Sequence, residues 1–463
     1  MNLSGKDIAL FSVTLAVLGG SLYANWNWEL VWSACGLLLL AYAIFIKNAF
    51  SLAYTGIALL APLSVKIALP FADLYLPSEF LTASLALSVA AVLLLSKQGG
   101  LLLKNPLPAL WLLTFVPGII ASELPQTSVK FFALNALFVT AFYYGGLLLA
   151  ARGNAFPWTA FLTGLVPVGL WGLYQFSRYN FNPITISGIF KPFFYSHTMF
   201  GAVAAFMAAV ALSKARTQRW WLLVALVAAV AVGFSTSRAA LWSLVFMGGL
   251  FALSALPKAL RVAVPALAVA GFFGLGGWVK LDEAFTYNSY ESHDPQASLV
   301  EQSMSVTNVQ SDASNIERLN RWTSALAMFN ERPFTGFGPG TYQFTYIPFQ
   351  DKRLENRLTV TNPNSPPPGS GGSAHSELLL QLSENGIWSP LIFLLMWVRW
   401  FYFGWFKRPN LAAVLPVFFG LSTYFFHMQF NNFLNQSVFA FLFWGAAAYL
   451  DYKIRSQRDE LLR

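Results

Sequence analysis

Long apolar stretches alternate with short polar connections along most of the chain. Runs such as LLVALVAAVAVGF and SLVFMGGLFALSA contain no charged residue. They belong to segments of roughly the 20 residues that a helix needs to cross a bilayer. The pattern predicts about fourteen spans, which begin near residues 8, 29, 50, 78, 107, 130, 157, 193, 219, 238, 259, 387, 410 and 434.

The composition also indicates a polytopic membrane protein. Of the 463 residues, 56% are hydrophobic and 11% are charged, whereas soluble domains carry about 25% charged residues. We therefore expect an all-α fold with about 12 to 14 transmembrane helices. Residues 1–280 would form a bundle of about eleven spans, residues 281–375 an outer loop domain with short amphipathic helices, and residues 376–463 the C-terminal spans.

Basic residues fall in alternate connections, and this alternation predicts the topology. The other set of connections contains the segment 281–375 and four acidic residues, Glu29, Asp73, Glu79 and Glu123. By the positive-inside rule, both termini are cytoplasmic and the segment 281–375 lies outside. Because the formal charge of +9 follows from this topology, nucleic-acid binding is not expected.

Cations are scarce on the predicted outer side, yet several lie where a span meets that surface. Arg178 and Lys191 flank the connection RYNFNPITISGIFK between the seventh and eighth spans. Arg238 follows Ser-Thr-Ser at the outer end of the tenth span, where one of residues 235–237 should cap the helix. A guanidinium beside the free N–H groups of a helix N-terminus forms an anion site. The alternative is an arginine that extends to the lipid headgroups.

The segment SNIERLNRWTSALAMF predicts an amphipathic helix in the long loop. Ser314 and Glu317 form a capping box, and apolar residues follow at helical spacing. Arg318 lies near the edge of the apolar stripe, whereas Arg321 points further towards water. The alternative for both arginines is a solvated helix face. The following ERPFTGFGPGTYQF predicts successive turns, and TNPNSPPPGSGGS predicts a flexible hinge.

The stretch AHSELLLQLSENG, residues 374–386, leads from this hinge into the twelfth span. Ser373 is the predicted N-cap, which would place His375 in the first helical turn. The positive end of a helix disfavours imidazolium, so His375 should be neutral and able to accept a proton. Glu377 and Glu384 share another face, and Glu384 should bond to a neighbouring helix or to Arg238. The alternative for His375 is a structural role.

These pieces together resemble the O-antigen ligase and polymerase superfamily, with its WaaL-type and Wzy-type enzymes. The resemblance rests on STSRAAL, RLNRWTSALAMFNERPFTGFGPGTY and HSELLLQLSENG, and on a large outer loop late in the chain. It is best from about residue 185 to 400. Arg238 matches the arginine after the family's ninth span, Arg318 the loop arginine four residues before Trp322, and His375 the histidine at the loop end. The chain departs from the family at Ser376, where many members have Asn.

The resemblance implies an inverting, metal-independent glycosyltransferase of the GT-C type in the bacterial inner membrane. The donor would be a glycan on undecaprenyl pyrophosphate and the acceptor a hydroxyl of lipid A–core, with the site facing the periplasm. Arg238 and Arg318 would stabilise the pyrophosphate leaving group, and His375 would take the acceptor proton. No cofactor is expected. Five further residues are predicted to bind substrate: Arg178, Lys191, Arg321, Glu377 and Glu384.

Other functions stay open at this point. A Wzy-type polymerase or a protein O-oligosaccharyltransferase would use the same donor with another acceptor. A metal-dependent lipid-phosphosugar transferase would need one of the four outer acidic residues, although the chain has no Asp-x-Asp and a single cysteine, Cys35. Inverted repeats and paired broken helices would favour a lipid or polysaccharide transporter. We find neither feature in the sequence.

Overall fold

The computed structural model describes residues 28–68, 73–181, 183–291, 299–367, 372–407 and 411–461. Within these ranges the chain is predominantly helical, which confirms the predicted all-α polytopic fold. Two short strands are β1 (Val65–Ala68) and β2 (Asp73–Leu76). The helices are α1 (Trp28–Ile46), α2 (Phe50–Leu60), α3 (Ser78–Leu95), α4 (Gly100–Lys104), α5 (Leu107–Leu113), α6 (Val116–Ala121), α7 (Pro125–Phe138), α8 (Gly145–Ala151), α9 (Trp158–Arg178), α10 (His197–Lys214), α11 (Trp221–Phe234), α12 (Arg238–Leu253), α13 (Lys258–Gly274), α14 (Gly277–Tyr287), α15 (Leu299–Met304), α16 (Ala313–Glu331), α17 (Tyr342–Thr345), α18 (Glu377–Asn385), α19 (Trp388–Phe401), α20 (Leu411–His427) and α21 (Ser437–Leu461).

A helix begins close to each predicted span start from residue 29 onwards, and the span predicted near residue 8 lies outside the described residues. Four helical segments in the described ranges are long and apolar enough to cross a membrane: Ser78–Leu95, Pro125–Ala151, His197–Lys214 and Trp388–Phe406. The α13–α14 pair, bent by 70°, makes a fifth if it is one span. Six apolar helices of 10–17 residues accompany them. By length and composition, the described residues thus contain four or five full-length candidate spans together with these shorter apolar helices.

The two strands form an antiparallel hairpin that the apolar pattern did not predict. Val65 is opposite Leu76, and Ala68 is opposite Asp73. Each strand has four residues, which is too short for its alternation to stand out beside long apolar helices. The Glu79 carboxylate at the start of α3 accepts a hydrogen bond from the hairpin at 2.8 Å, so the hairpin is joined to the helix bundle.

The centre of the bundle is α21, whose side chains from Phe439 to Leu450 are almost all buried. Glycines allow its neighbours to approach closely. A Cβ atom on Gly146 of α8 would lie 2.9 Å from Ala448 Cβ, and one on Gly445 would lie 2.4 Å from Tyr54 Oη. Small residues at helix contacts favour this kind of tight packing in membranes, where van der Waals contact replaces the hydrophobic effect.

A buried polar network joins three segments at the predicted cytoplasmic end of α21. Asp451 forms an ion pair with Arg399 of α19 at 2.7 Å and accepts hydrogen bonds from Tyr143 Oη at 2.6 Å and Trp400 Nε1 at 3.1 Å. A buried carboxylate is costly unless it is paired and hydrogen-bonded. These contacts hold α19, α21 and the segment that contains Tyr143 together.

The long loop has its own small core, which positions the end of α18. Ala325 and Met328 of α16 pack with Tyr342, Tyr346 and Leu380. The turns predicted in GFGPG are present, because Gly336, Gly338 and Gly340 all have positive φ. At Gly336 the turn comes so close to α18 that a Cβ atom would lie 2.2 Å from the Glu384 carbonyl carbon. Only glycine fits both the φ angle and this close approach.

Candidate active site

Arg238 is the first residue of α12, and Ser237 caps this helix as predicted. The Ser237 hydroxyl accepts a hydrogen bond from Ala240 N at 3.3 Å. The Arg238 side chain is only 13% exposed and does not extend away from the protein. It turns towards the loop instead, where its Nη1 donates to Ser305 Oγ at 2.6 Å. A cation is thus held at a helix N-terminus, the arrangement that favours anion binding.

The loop helix α16 begins with Asp312, not Ser314, as its N-cap. The Asp312 carboxylate accepts a hydrogen bond from Asn315 N at 3.0 Å. The predicted capping box is therefore wrong. Ser314 Oγ accepts a hydrogen bond from Arg318 Nη1 at 2.9 Å, and Glu317 is used in an ion pair. Aspartate and serine cap helices about equally well. The hydrogen-bond partners of Asp312 and Ser314 therefore decide which of the two caps α16.

Arg238 and Arg318 converge on one side chain, Asn315. Its Oδ1 accepts hydrogen bonds from Arg238 Nη2 at 3.3 Å and from Arg318 Nη1 at 3.4 Å. Its Nδ2 donates to the carbonyl oxygens of Ser305 at 2.8 Å and Asn308 at 2.9 Å. Because backbone acceptors hold the NH₂ end, the oxygen end of the amide must face the arginines. Two guanidinium groups from distant parts of the sequence are thus brought together.

The positive charge of this pair exceeds the nearby negative charge. The buried Asp312 carboxylate lies 3.6 Å from Arg238 Nη1. Burial, together with the charges of Arg238 and Arg321, lowers the pKa of Arg318 to about 10, while Asp312 opposes this shift. A lowered pKa means that the charged guanidinium is destabilised in this environment. A bound anion would relieve that cost.

His375 lies beside α16 but is not in the predicted helical turn. The N-cap of α18 is Ser376, whose hydroxyl accepts a hydrogen bond from Leu379 N, so the predicted cap at Ser373 is wrong. His375 precedes the helix in a left-handed conformation, with φ of 50°. Its carbonyl oxygen accepts a hydrogen bond from Trp322 Nε1 at 3.4 Å. Trp322 is one helical turn after Arg318, so this bond brings the histidine segment to the arginine-bearing helix.

Arg321 is completely buried, and the prediction that it points towards water is wrong. Its Nε forms an ion pair with Glu317 at 2.7 Å, and its Nη1 donates to the Ser373 carbonyl oxygen at 2.7 Å. Its guanidinium lies 5.3 Å from the centre of the Tyr346 ring. The solvated-face alternative therefore fails for this residue. Arg321 instead connects α16 to the segment that carries His375.

Glu377 and Glu384 are both buried in α18. Glu377 accepts a hydrogen bond from Tyr424 Oη at 3.0 Å, and Glu384 accepts one from Tyr342 N at 2.9 Å. Glu384 therefore bonds to the start of α17, a neighbouring helix, and not to Arg238, so the first of the two predicted partners is confirmed. Burial raises the pKa of Glu377 to about 7 and that of Glu384 to about 8. Both line a small polar cavity beside α18.

The connection flanked by Arg178 and Lys191 lies next to the residues that precede α12, because the Phe176 ring of α9 lies 6.3 Å from the Phe234 ring. Arg178 is the last residue of α9 and is exposed, as is Lys191 in the connection to α10. The Lys191 ammonium lies 5.2 Å from the centre of the Tyr195 ring. Their predicted role in substrate binding stays a prediction.

Two of the four acidic residues predicted on the outer side already have protein partners. Glu79 accepts the hydrogen bond from the β-hairpin, and Glu123 pairs with Arg332 at 2.6 Å. The side chains of Glu29 and Asp73 lie outside the described part of the structure. These contacts give a metal-dependent transferase no additional support.

Three residues of this region were not predicted from the sequence: Asp312, Asn315 and His427. The first two are ordinary loop residues by sequence, and only their contacts show that they organise the arginines. His427 could have been identified from the sequence, because HMQFNN is a polar run at the predicted outer end of an apolar span. It ends α20 and is 1% exposed.

Residues 222–394 match the family described as O-antigen ligase (Wzy_C). Arg238, Arg318 and His375 all lie within the matched range. No curated protein and no solved structure matches the chain. This similarity over residues 222–394 supports the O-antigen ligase superfamily.

Proposed function

We propose that this protein is an inverting, metal-independent glycosyltransferase of the bacterial inner membrane. It moves a glycan from undecaprenyl pyrophosphate to the hydroxyl of an acceptor, for which we favour lipid A–core, on the periplasmic face. The family match supports an O-antigen ligase or polymerase type of activity in general. The donor, the acceptor and the mechanism are our inference from the site.

The observation that carries the proposal is the shared contact of Arg238 and Arg318 with Asn315 Oδ1. Guanidinium groups repel each other, so holding two of them together is unfavourable unless an anion binds there. Arginine suits a pyrophosphate because its planar fork makes paired hydrogen bonds to phosphate oxygens. The nearby N-terminus of α12 adds a favourable dipole and free N–H groups.

The reaction needs one displacement at the anomeric carbon of the donor sugar. The acceptor oxygen forms the new glycosidic bond as the bond to the pyrophosphate oxygen breaks, which inverts that carbon. Undecaprenyl pyrophosphate leaves with the bonding electrons, and Arg238 and Arg318 stabilise the charge that it gains. His375 takes the proton from the acceptor hydroxyl.

Arg321 acts in this proposal by positioning the segment before His375. Its hydrogen bond to the Ser373 carbonyl joins that segment to the helix that bears Arg318. We therefore replace direct substrate binding by Arg321 with a positioning role. Glu384 has a comparable role, because its carboxylate holds the GFGPGTY segment through Tyr342 N.

The experiment is a transfer assay with purified protein in detergent micelles. It would combine a glycan on undecaprenyl pyrophosphate with lipid A–core, with a second lipid-linked glycan, or with a peptide containing Ser and Thr, each in the presence of a chelator. Transfer to lipid A–core alone would support the ligase, and elongation of the lipid-linked glycan would indicate a polymerase. Consumption of the donor only after addition of a divalent cation would contradict metal independence.

A further inference from the structure

His427 at the end of α20 belongs to the same region as the arginine pair. The carbonyl oxygen of the next residue, Met428, accepts a hydrogen bond from Glu377 N at 2.9 Å. The ring of Phe430 lies 6.2 Å from that of Trp322. These two contacts place the end of α20 against both α16 and the start of α18. His427 is therefore buried at the junction of the segments that carry Arg318 and His375.

The hydrogen bonding of His427 is incomplete. Its Nδ1 lies 3.5 Å from Asn431 Nδ2, which can only donate, so Nδ1 is the acceptor. In that neutral tautomer Nε2 carries the hydrogen. Among the described residues Nε2 has no hydrogen-bond partner, although the side chain is buried. A buried donor without an acceptor costs free energy and calls for an explanation.

Arg318 carries a second buried donor in this region. Arg318 Nε also has no hydrogen-bond partner among the described residues. Arg318 lies one helical turn before Trp322, whose ring is 6.2 Å from that of Phe430, three residues after His427. Unused donors on neighbouring side chains point to a missing acceptor, and the positive charge favours a negatively charged one.

We propose that His427 is a third ligand of the donor pyrophosphate, which binds a phosphate oxygen through Nε2–H. This inference rests on the proposed function, because it uses the same anion as Arg238 and Arg318. A neutral imidazole adds a hydrogen bond without placing another positive charge beside two guanidinium groups. His427 thus binds the leaving group, whereas His375 serves the acceptor hydroxyl.

The test measures the affinity of the full-length protein for undecaprenyl pyrophosphate in detergent micelles. Glutamine places its amide near the Nε2 position of histidine, whereas asparagine places it near the Nδ1 position. His427→Gln should keep the dissociation constant within about threefold of the wild-type value. His427→Asn and His427→Leu should weaken binding by about 10- to 100-fold, the usual effect of losing a hydrogen bond to a charged group. Gln429→Ala, two residues away, is the matched control and should bind normally.

Folding and headgroup selectivity need their own measurements. The melting temperature of each variant shows whether weak binding reflects unfolding. If His427→Leu is destabilised, the comparison of His427→Gln with His427→Asn decides the outcome. Phosphatidylglycerol and inorganic pyrophosphate serve as competitors. The proposal requires inorganic pyrophosphate to compete and phosphatidylglycerol to fail. Equal competition by phosphatidylglycerol would make this a general lipid-headgroup contact and overturn it.

Arg238→Ala separates failure of this inference from failure of the proposed function. If Arg238→Ala loses the lipid pyrophosphate while His427→Asn and His427→Gln bind equally well, His427 is not a ligand but the proposed function stands. If the wild-type protein does not bind undecaprenyl pyrophosphate, or Arg238→Ala binds it normally, both proposals are overturned.

Discussion

The substitution Arg321→Ala tests the packing of the outer loop directly. It would leave Glu317, whose side chain is 4% exposed, without its ion-pair partner. It would also remove the donor to the Ser373 carbonyl and the cation above the Tyr346 ring. Arg321 pairs within α16 and contacts two other segments, at Ser373 and Tyr346, so its loss should loosen the attachment of the His375 segment to α16.

The expected cost follows from the burial of the pair. Removing one partner of a buried ion pair costs about 3–5 kcal/mol, because an uncompensated charge is left behind. Protonation of Glu317 limits this cost: burial already raises the pKa of its carboxyl, and Arg321 opposes that rise. Without Arg321 the pKa rises further, so the cost should be smaller at pH 5 than at pH 8. Glu317→Gln combined with Arg321→Ala should recover part of the loss.

Hydrogen exchange of the loop amides is the appropriate assay, since the loop can open locally while the membrane helices stay folded. A loss of about 3–5 kcal/mol would speed exchange in α16 and α18 by about 10²- to 10³-fold or more. Arg321→Lys is the control for charge, and it should preserve the pairing with Glu317 better than the bond to Ser373. Unchanged exchange in Arg321→Ala would refute the argument that this ion pair holds the loop.

Three further predictions concern the site itself. Arg238→Ala or Arg318→Ala should lower kcat/KM for transfer by about 10- to 100-fold or more. Lysine at either position should restore only part of this activity, since it makes no paired contact, and a wild-type rate in an alanine variant would exclude that arginine from the site. His375→Ala and His375→Gln should both lower turnover by about 10²–10⁴ with donor binding and melting temperature intact, and an active Gln variant would rule out a general base. Burial raises the pKa of Glu384 to about 8, so the stability linked to its neutral form is complete below its ordinary pKa of about 4.3 and is lost as pH rises through 8. Glu384→Gln should therefore flatten the fall in melting temperature between about pH 5 and pH 8, and parallel curves would contradict this.

Several predictions depended only on neighbouring residues, and these were confirmed. Ser237 caps α12 because a serine directly before an apolar helix satisfies free N–H groups nearby in the chain. The glycines of GFGPG adopt positive φ because no other residue does so without strain. The positions of the apolar helices also follow from composition alone, since each apolar run must leave water.

Tertiary contacts decided the rest, because the partners come from segments far apart in the sequence. Helical periodicity placed Arg321 towards water, but Glu317 and the Ser373 carbonyl supply the partners that allow its burial. The start of α18 moved from Ser373 to Ser376 for a related reason: Arg321 holds the Ser373 carbonyl outside the helix. His427 acquired its place in the site only when α20 packed against α16 and α18. The sequence by itself thus determined the membrane class, the helix positions and the candidate cations, whereas the tertiary structure decided which of those cations are brought together and which are already paired.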